Sequence, residues 1–191
     1  MPTFVGICPA TNSHKFYYNL IEMATTADVF DHLKVLYEKY RATTDMDLRG
    51  LFFSPQCVQI CRTNPDYAAT SREGIVEYMR ESHDFVPSKG HYTIRPLRDD
   101  EFTFETDDVV APTGLTSAIL EQRAKAENWV GTRVDLWWEA AEEKNEILVK
   151  VQYWWRKEQD EWLQVLHDIM YMGPLDGTEG QEGQVFDCVE K

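Results

Sequence analysis

Three long apolar segments follow one another in the C-terminal half of the chain, at 132–140, 147–156 and 161–172. Short polar stretches containing Glu143-Lys144-Asn145 and Glu158-Gln159-Asp160 separate them. That spacing predicts an antiparallel meander of three strands. The third segment constrains the fold most. Alternation places Trp162, Gln164, Leu166, Asp168, Met170 and Met172 on one face and Leu163, Val165, His167, Ile169 and Tyr171 on the other. Both sets are largely apolar, so this strand must be covered on both sides.

The remaining chain supplies the cover. Thr25-Thr26-Ala27-Asp28 reads as a helix start, and Val29, Leu33, Leu36, Tyr37 and Tyr40 follow at helical spacing. Residues 13–23 predict a short helix, 45–51 a helical turn, and Ser71 opens a helix carrying Ile75, Val76 and Met79. Residues 57–62 and 91–96 read as strands, and 116–129 as a helix with Ile119, Leu120, Ala124 and Trp129 on its apolar side. Helices segregated from an antiparallel sheet give an α+β fold. A sheet with helices on one face must curl around them, which leaves a cone with an open mouth. Residues 1–172 are expected to form this single conical domain. Residues 98–130 are an insertion able to act as a lid, and the Gly- and acid-rich stretch 173–191 reads as a flexible tail.

Charge removes whole classes of partner. The chain has 33 Asp and Glu against 19 Lys and Arg, a net charge of −14, so it lacks the basic stripe that nucleic acid or an anionic membrane surface requires. No apolar run approaches the ~20 residues that span a bilayer. The first residues carry no signal-peptide pattern. Cys8, Cys57, Cys61 and Cys188 form no Cys-x-x-Cys, which fits reduced thiols and a cytoplasmic protein. Cys57 and Cys61, on one strand face, read as packed thiols rather than a metal site.

Titratable residues on the strands are the candidates for chemistry. Arg133, Asp135, Trp137 and Glu139 share a face, with Val134, Leu136 and Trp138 opposite. An Arg beside an Asp is either an ordinary ion pair or a carboxylate held for use. Asp168 stands alone among Leu166, Met170 and Met172, and a carboxylate in apolar surroundings needs a partner or a purpose. His167 reads as a core histidine or as a proton carrier. His83 and His91 flank a loop near the cone mouth, where either could act as an acid. No phosphate loop, dinucleotide fingerprint or Gly-x-Ser-x-Gly elbow occurs, which leaves cofactor-free acid/base chemistry for an enzyme reading.

The order of elements over roughly residues 26–172 resembles the cone-shaped α+β barrel of the nuclear transport factor two superfamily, which includes SnoaL-like polyketide cyclases, ketosteroid isomerases, scytalone dehydratases and limonene-epoxide hydrolases. Arg133-Val134-Asp135, with Asp168 two strands later, is similar to the Arg–Asp–Asp set of the hydrolases. Ser71-Arg72-Glu73-Gly74-Ile75-Val76 resembles the helix start after the first strand in these folds. The resemblance implies that Asp135 is the acid, Asp168 the base and Arg133 the bridge between them. It implies a pocket wall of Trp137, Tyr37, Tyr40, Gln59, Gln164 and Met170, with Phe102 and Trp129 reaching toward the mouth. It also departs from the hydrolases, which hold water with a Tyr and an Asn on the first strand, where this chain has Gln59, Cys61 and Thr63.

The function implied is isomerisation, cyclisation or epoxide opening of an apolar polyketide- or terpenoid-like molecule, without metal or cofactor, in natural-product biosynthesis. The alternative is a non-catalytic ligand-binding or dimerisation module. A homodimer through the convex face of the long strands is expected, with Trp138, Trp154, His167 and Tyr171 as contacts.

Overall fold

The computed structural model describes residues 26–81, 90–138 and 147–188. The helix expected over 13–23, His83 and the turn at 143–145 lie outside them. Helix α1 (Thr26–Ala42) turns Leu33, Tyr37 and Tyr40 inward, one stripe of a 3.6-residue period. Helix α2 (Met46–Gly50) opens on Asp45, whose carboxylate accepts the backbone N–H groups of Asp47 and Leu48. Helix α3 (Arg72–Glu81) buries Ile75 and Val76. It meets α2 at Gly50, where a Cβ would lie 2.7 Å from Val76 Cγ2. The Arg72 guanidinium donates to the Phe53 carbonyl and ties α3 to the first strand.

The strands are β1 (Phe53–Cys61), β2 (Gly90–Pro96), β3 (Val130–Trp138), β4 (Ile147–Glu158), β5 (Glu161–Gly173) and β6 (Val185–Asp187), in the sheet order β1-β5-β4-β3-β2-β6. β3, β4 and β5 form the expected meander. The β1–β5 pairing is parallel, so the sheet is mixed rather than wholly antiparallel. Among the described residues no hydrogen bonds close β1 onto β6, and the result is an α+β fold with a curved, open sheet wrapped around the N-terminal helices. Among the described residues no helix is long and apolar enough to cross a membrane.

Each face of the sheet has its own core. On the helix side, Leu33, Tyr37, Tyr40, Ile75 and Val76 pack on Phe53, Tyr92, Val134, Leu136, Val151, Tyr153 and Trp155. On the other face, the insertion between β2 and β3 lays down α4 (Asp107–Val110) and α5 (Ser117–Ala126). Val110, Leu120, Ala124 and Trp129 there cover Val58, Ile60, Trp154, Val165 and Leu166. This explains why β5 is apolar on both sides: it is an inner strand between two layers.

Three expectations are corrected by this arrangement. The insertion is not a lid over the helix-side mouth. Phe102 meets the Trp154 ring edge-on at 5.0 Å and Phe104 stacks on it at 4.8 Å, so this segment packs on the opposite sheet face. The four residues expected as dimer contacts do not share a surface. Trp154 lies under the chain's own insertion, whereas His167 faces the helix side and packs edge-on against Phe53, so neither is available to a partner. Finally, the stretch after Gly173 is not simply a tail. It returns to pair β6 with β2, where Phe186 stacks on Tyr92 at 5.2 Å and Arg95 and Arg98 both bind Glu182. The apolar Val185-Phe186 pair within an acidic stretch is the reason: an exposed β2 edge gives it ladder hydrogen bonds and an aromatic partner.

Candidate active site

The strand parity read from sequence holds for β3, and Arg133, Asp135 and Trp137 all point to the insertion side. Arg133 Nε donates to Asp135 Oδ1 at 3.0 Å, and Lys150 Nζ lies 3.7 Å from the other oxygen. Arg133 also reaches Met170 Sδ at 3.9 Å. Trp137 sits beside His91, whose Nδ1 contacts Asp187 Oδ1 at 2.9 Å.

Asp168 shares that face but has its own cation. Arg62, at the end of β1, donates from Nε at 2.9 Å and from Nη2 at 2.5 Å, and its Nη1 binds Glu105 of the insertion at 2.5 Å. Arg133 therefore does not bridge the two carboxylates. Asp135 on β3 lies opposite Lys150 and Asp168 on β5 lies opposite Gln152, so their backbones are two strands and two register positions apart, about 12 Å. Both residues are 2% exposed. Gln152 is the β4 residue between Arg133 and Asp168, whereas Asp135 pairs with Lys150. Glu105 is pushed up by burial, against the pull of Arg62. Glu101, gripped by Arg95, is held down at about 2.

The other expected pocket residues divide between the two faces. Met170, Phe102 and Trp129 belong to the insertion side, Met170 through its contact with Arg133 and Trp129 through its edge-on approach to Phe104 at 6.3 Å. Tyr37, Tyr40, Gln59 and Gln164 belong to the helix side. For Gln164 a β-bulge is responsible. Trp155 pairs with Gln164 and Trp154 with Leu166, so Val165 is the extra residue and the alternation of β5 flips there. Gln164 thus shares a face with His167 rather than with Asp168.

This bulge builds a second polar constellation in the helix-side core. His167 is 3% exposed, and its Nε2 lies 2.5 Å from Gln164 Oε1. Phe53 and Tyr153 approach its ring edge-on at 4.9 and 5.0 Å. Gln59, its neighbour on β1, donates instead to the Tyr67 carbonyl at 2.8 Å. Burial pushes the imidazole down to about 3, so it is neutral at pH 7. An amide oxygen at Nε2 fixes the proton on that nitrogen and leaves Nδ1 with its lone pair. Beyond Tyr153 stand Tyr37 at 5.2 Å and Tyr92, itself 5.3 Å from Tyr37. Burial raises the Tyr37, Tyr92 and Tyr153 hydroxyls, so they stay protonated as donors. The Tyr78 and Tyr171 hydroxyls share a hydrogen bond at 2.8 Å further along β5. Among the described residues no group of three or more His, Cys, Asp or Glu side chains is placed to hold a metal ion.

The depressed imidazole makes stability depend on pH in a predictable direction. As pH falls below about 6.5 the unfolded chain takes up a proton that folded His167 refuses until about 3. Stability is therefore full above about 6.5 and is lost toward about 3, at about 1.4 kcal/mol per pH unit for one proton. Chemical denaturation at pH 6 and pH 5 should show a slope smaller by about that amount in His167→Gln than in the wild-type chain. Equal slopes would mean that His167 accepts protons freely in the folded state.

Similar architectures are known. A ketosteroid isomerase-like protein from Erwinia carotovora atroseptica SCRI1043 matches with 13% identity and a TM-score of 0.48, over 76% of this chain and 95% of its own. An NTF2-like protein of unknown function from Pseudomonas putida KT2440 matches with 6% identity and a TM-score of 0.49, over 87% of this chain and 99% of its own. A protein of ketosteroid isomerase-like fold from Catenulispora acidiphila DSM 44928, in complex with trimethylamine, matches with 11% identity and a TM-score of 0.42, over 72% and 82%. No curated protein sequence matches this chain significantly. The model of the SnoaL-like domain aligns with residues 22–187, which takes in both sheet faces, the insertion and the returning β6, and the chain belongs to the SnoaL-like family.

Proposed function

We propose that the protein is a cofactor-free acid/base enzyme that moves a proton on an apolar small molecule, and that the reaction takes place on the helix side of the sheet with His167 as base. The observation that carries this reading is the neutral, buried imidazole tied through Nε2 to Gln164, among tyrosine hydroxyls that remain protonated. Because it is uncharged at pH 7, the imidazole keeps a lone pair at Nδ1 that can accept a proton. That suits an isomerisation or a dehydration, in which one group takes a proton from carbon and gives it back to carbon or to a leaving oxygen. A tyrosine hydroxyl such as Tyr153 then donates to the oxygen on which charge develops. The surroundings of His167, Phe53 and Tyr153, favour a cyclic, apolar body. The test is deuterium exchange α to the carbonyl in a panel of cyclic ketones incubated with the wild-type chain in D2O, followed by mass spectrometry. Catalysed exchange on at least one member is expected. Exchange no faster than in buffer across the panel would contradict the reading.

A second reading keeps the two carboxylates as the acid/base pair on the insertion side. It is favoured by Gln152, whose buried Oε1 has no hydrogen-bond partner although it lies between Arg133 and Asp168. On the first reading Asp135→Asn and Asp168→Asn keep most turnover. On the second each loses ~10²–10⁴-fold at an unchanged melting temperature. The exchange assay on these two variants separates the readings.

A further inference from the structure

Arg41 is the one described arginine whose side-chain hydrogen bond goes to a thiol, Nη2 to Cys188 Sγ at 3.2 Å. Among the described residues no carboxylate lies within ion-pair distance of it, although Arg62, Arg80, Arg95, Arg98, Arg123, Arg133 and Arg156 each have one. Its Nε is buried and has no partner. Around it stand Tyr37, Tyr40 and Tyr153. Arg41 is half-buried with its Nε shielded from water, and a guanidinium, charged at every physiological pH, is best satisfied in such a place by an anion. Arg49 and Arg72 also lack a carboxylate among the described residues, but Arg72 is tied to the Phe53 carbonyl and Arg49 lies over the Tyr40 ring, whereas Arg41 has a thiol. Tyr153 packs edge-on against His167 and lies 5.2 Å from Tyr37, one helical turn before Arg41. Arg41 is one helical turn beyond Tyr37 on α1, on the same inward stripe.

We propose that Arg41 is the anion-recognition residue of the helix-side site, and that the ligand is a carboxylate carried on a flat, apolar ring. The carboxylate accepts from the guanidinium, where the free Nε and an Nη offer two parallel donors, and the ring lies among the tyrosines. This rests on the helix-side placement of the site. It is independent of the reaction, because the exchange assay uses neutral ketones and the assay below reads binding alone.

The probes are naphthalene-2-carboxylate and its neutral isostere naphthalene-2-carboxamide, titrated calorimetrically into the full-length chain. The carboxylate is expected to bind at least about tenfold more tightly than the amide, the low end of what hydrogen bonds to a charged group contribute. Arg41→Gln abolishes that preference, Arg41→Lys retains part of it, and Cys188→Ser leaves it in place. Equal binding of the two probes, no binding of the carboxylate at millimolar concentration, or a preference that survives Arg41→Gln each overturns the proposal. So does a preference that emerges only in Cys188→Ser, which would make the thiolate the resident counter-ion of Arg41. The comparison of the two probes on the wild-type chain and the Arg41→Lys variant decide the matter if Arg41→Gln fails to fold.

Discussion

Replacing His167 by glutamine is expected to remove catalysed proton exchange by ~10²–10⁴-fold while the chain stays folded. Glutamine fills a similar volume and can keep a hydrogen bond to Gln164, but it cannot take up a proton. His167 makes one side-chain hydrogen bond, to that amide, and its ring contacts are with Phe53 and Tyr153, so the packing around the substitution is preserved. Exchange kinetics of the purified variant, at a melting temperature within a few degrees of the wild type, provide the check. A variant that exchanges at the wild-type rate removes His167 as base. If Asp168→Asn shows the large loss instead, the chemistry belongs to the insertion side.

The second large effect concerns the layer that covers the opposite face. Trp154 is 1% exposed and carries Phe102, Phe104 and Trp129 around its ring. Trp154→Ala is expected to cost about 3–5 kcal/mol, the range for deleting a large buried ring whose neighbours cannot fully collapse. Gly131, opposite Trp154 on β3, is already filled by that ring and by Leu97, so the backbone there has little to give. Trp154→Phe should cost less, since it keeps a ring and removes an indole N–H that has no partner. Urea denaturation measures the loss. Hydrogen exchange should show residues 107–126 losing protection before α1 and α3 do. A loss below about 1 kcal/mol would mean that the insertion is not anchored through this residue.

That β5 needs cover on both faces was legible in its alternation, but the second cover was expected from a partner copy and comes instead from the chain's own insertion. What alternation could not show was which face meets the helices. Arg133, Asp135 and Asp168 lie on one face, as their parity requires, but that face belongs to the insertion. The choice is made by long-range packing of Tyr37 and Tyr40 against Tyr153, and no local pattern encodes it. The bulge at Val165 is equally silent in the sequence, and it alone moves Gln164 next to His167. The parallel pairing of β1 with β5 brings Arg62 to Asp168 across a separation of 106 positions, beyond any local pattern. Arg41, by contrast, could have been found: it follows Tyr37 by four positions on a helix already recognised as amphipathic, and a charged residue on an inward stripe is a signal.

The tryptophans report which face binds ligand. Trp138, Trp155 and Trp162 pack on the helix side, and Trp129, Trp154 and Trp137 on the insertion side. Their indole N–H resonances, assigned by single Trp→Phe substitutions, can be followed during titration with a ketone that undergoes exchange. A helix-side site predicts shifts at Trp138, Trp155 and Trp162 and still resonances at the other three. Shifts confined to Trp129, Trp137 and Trp154 would contradict that site and move the chemistry to the carboxylates.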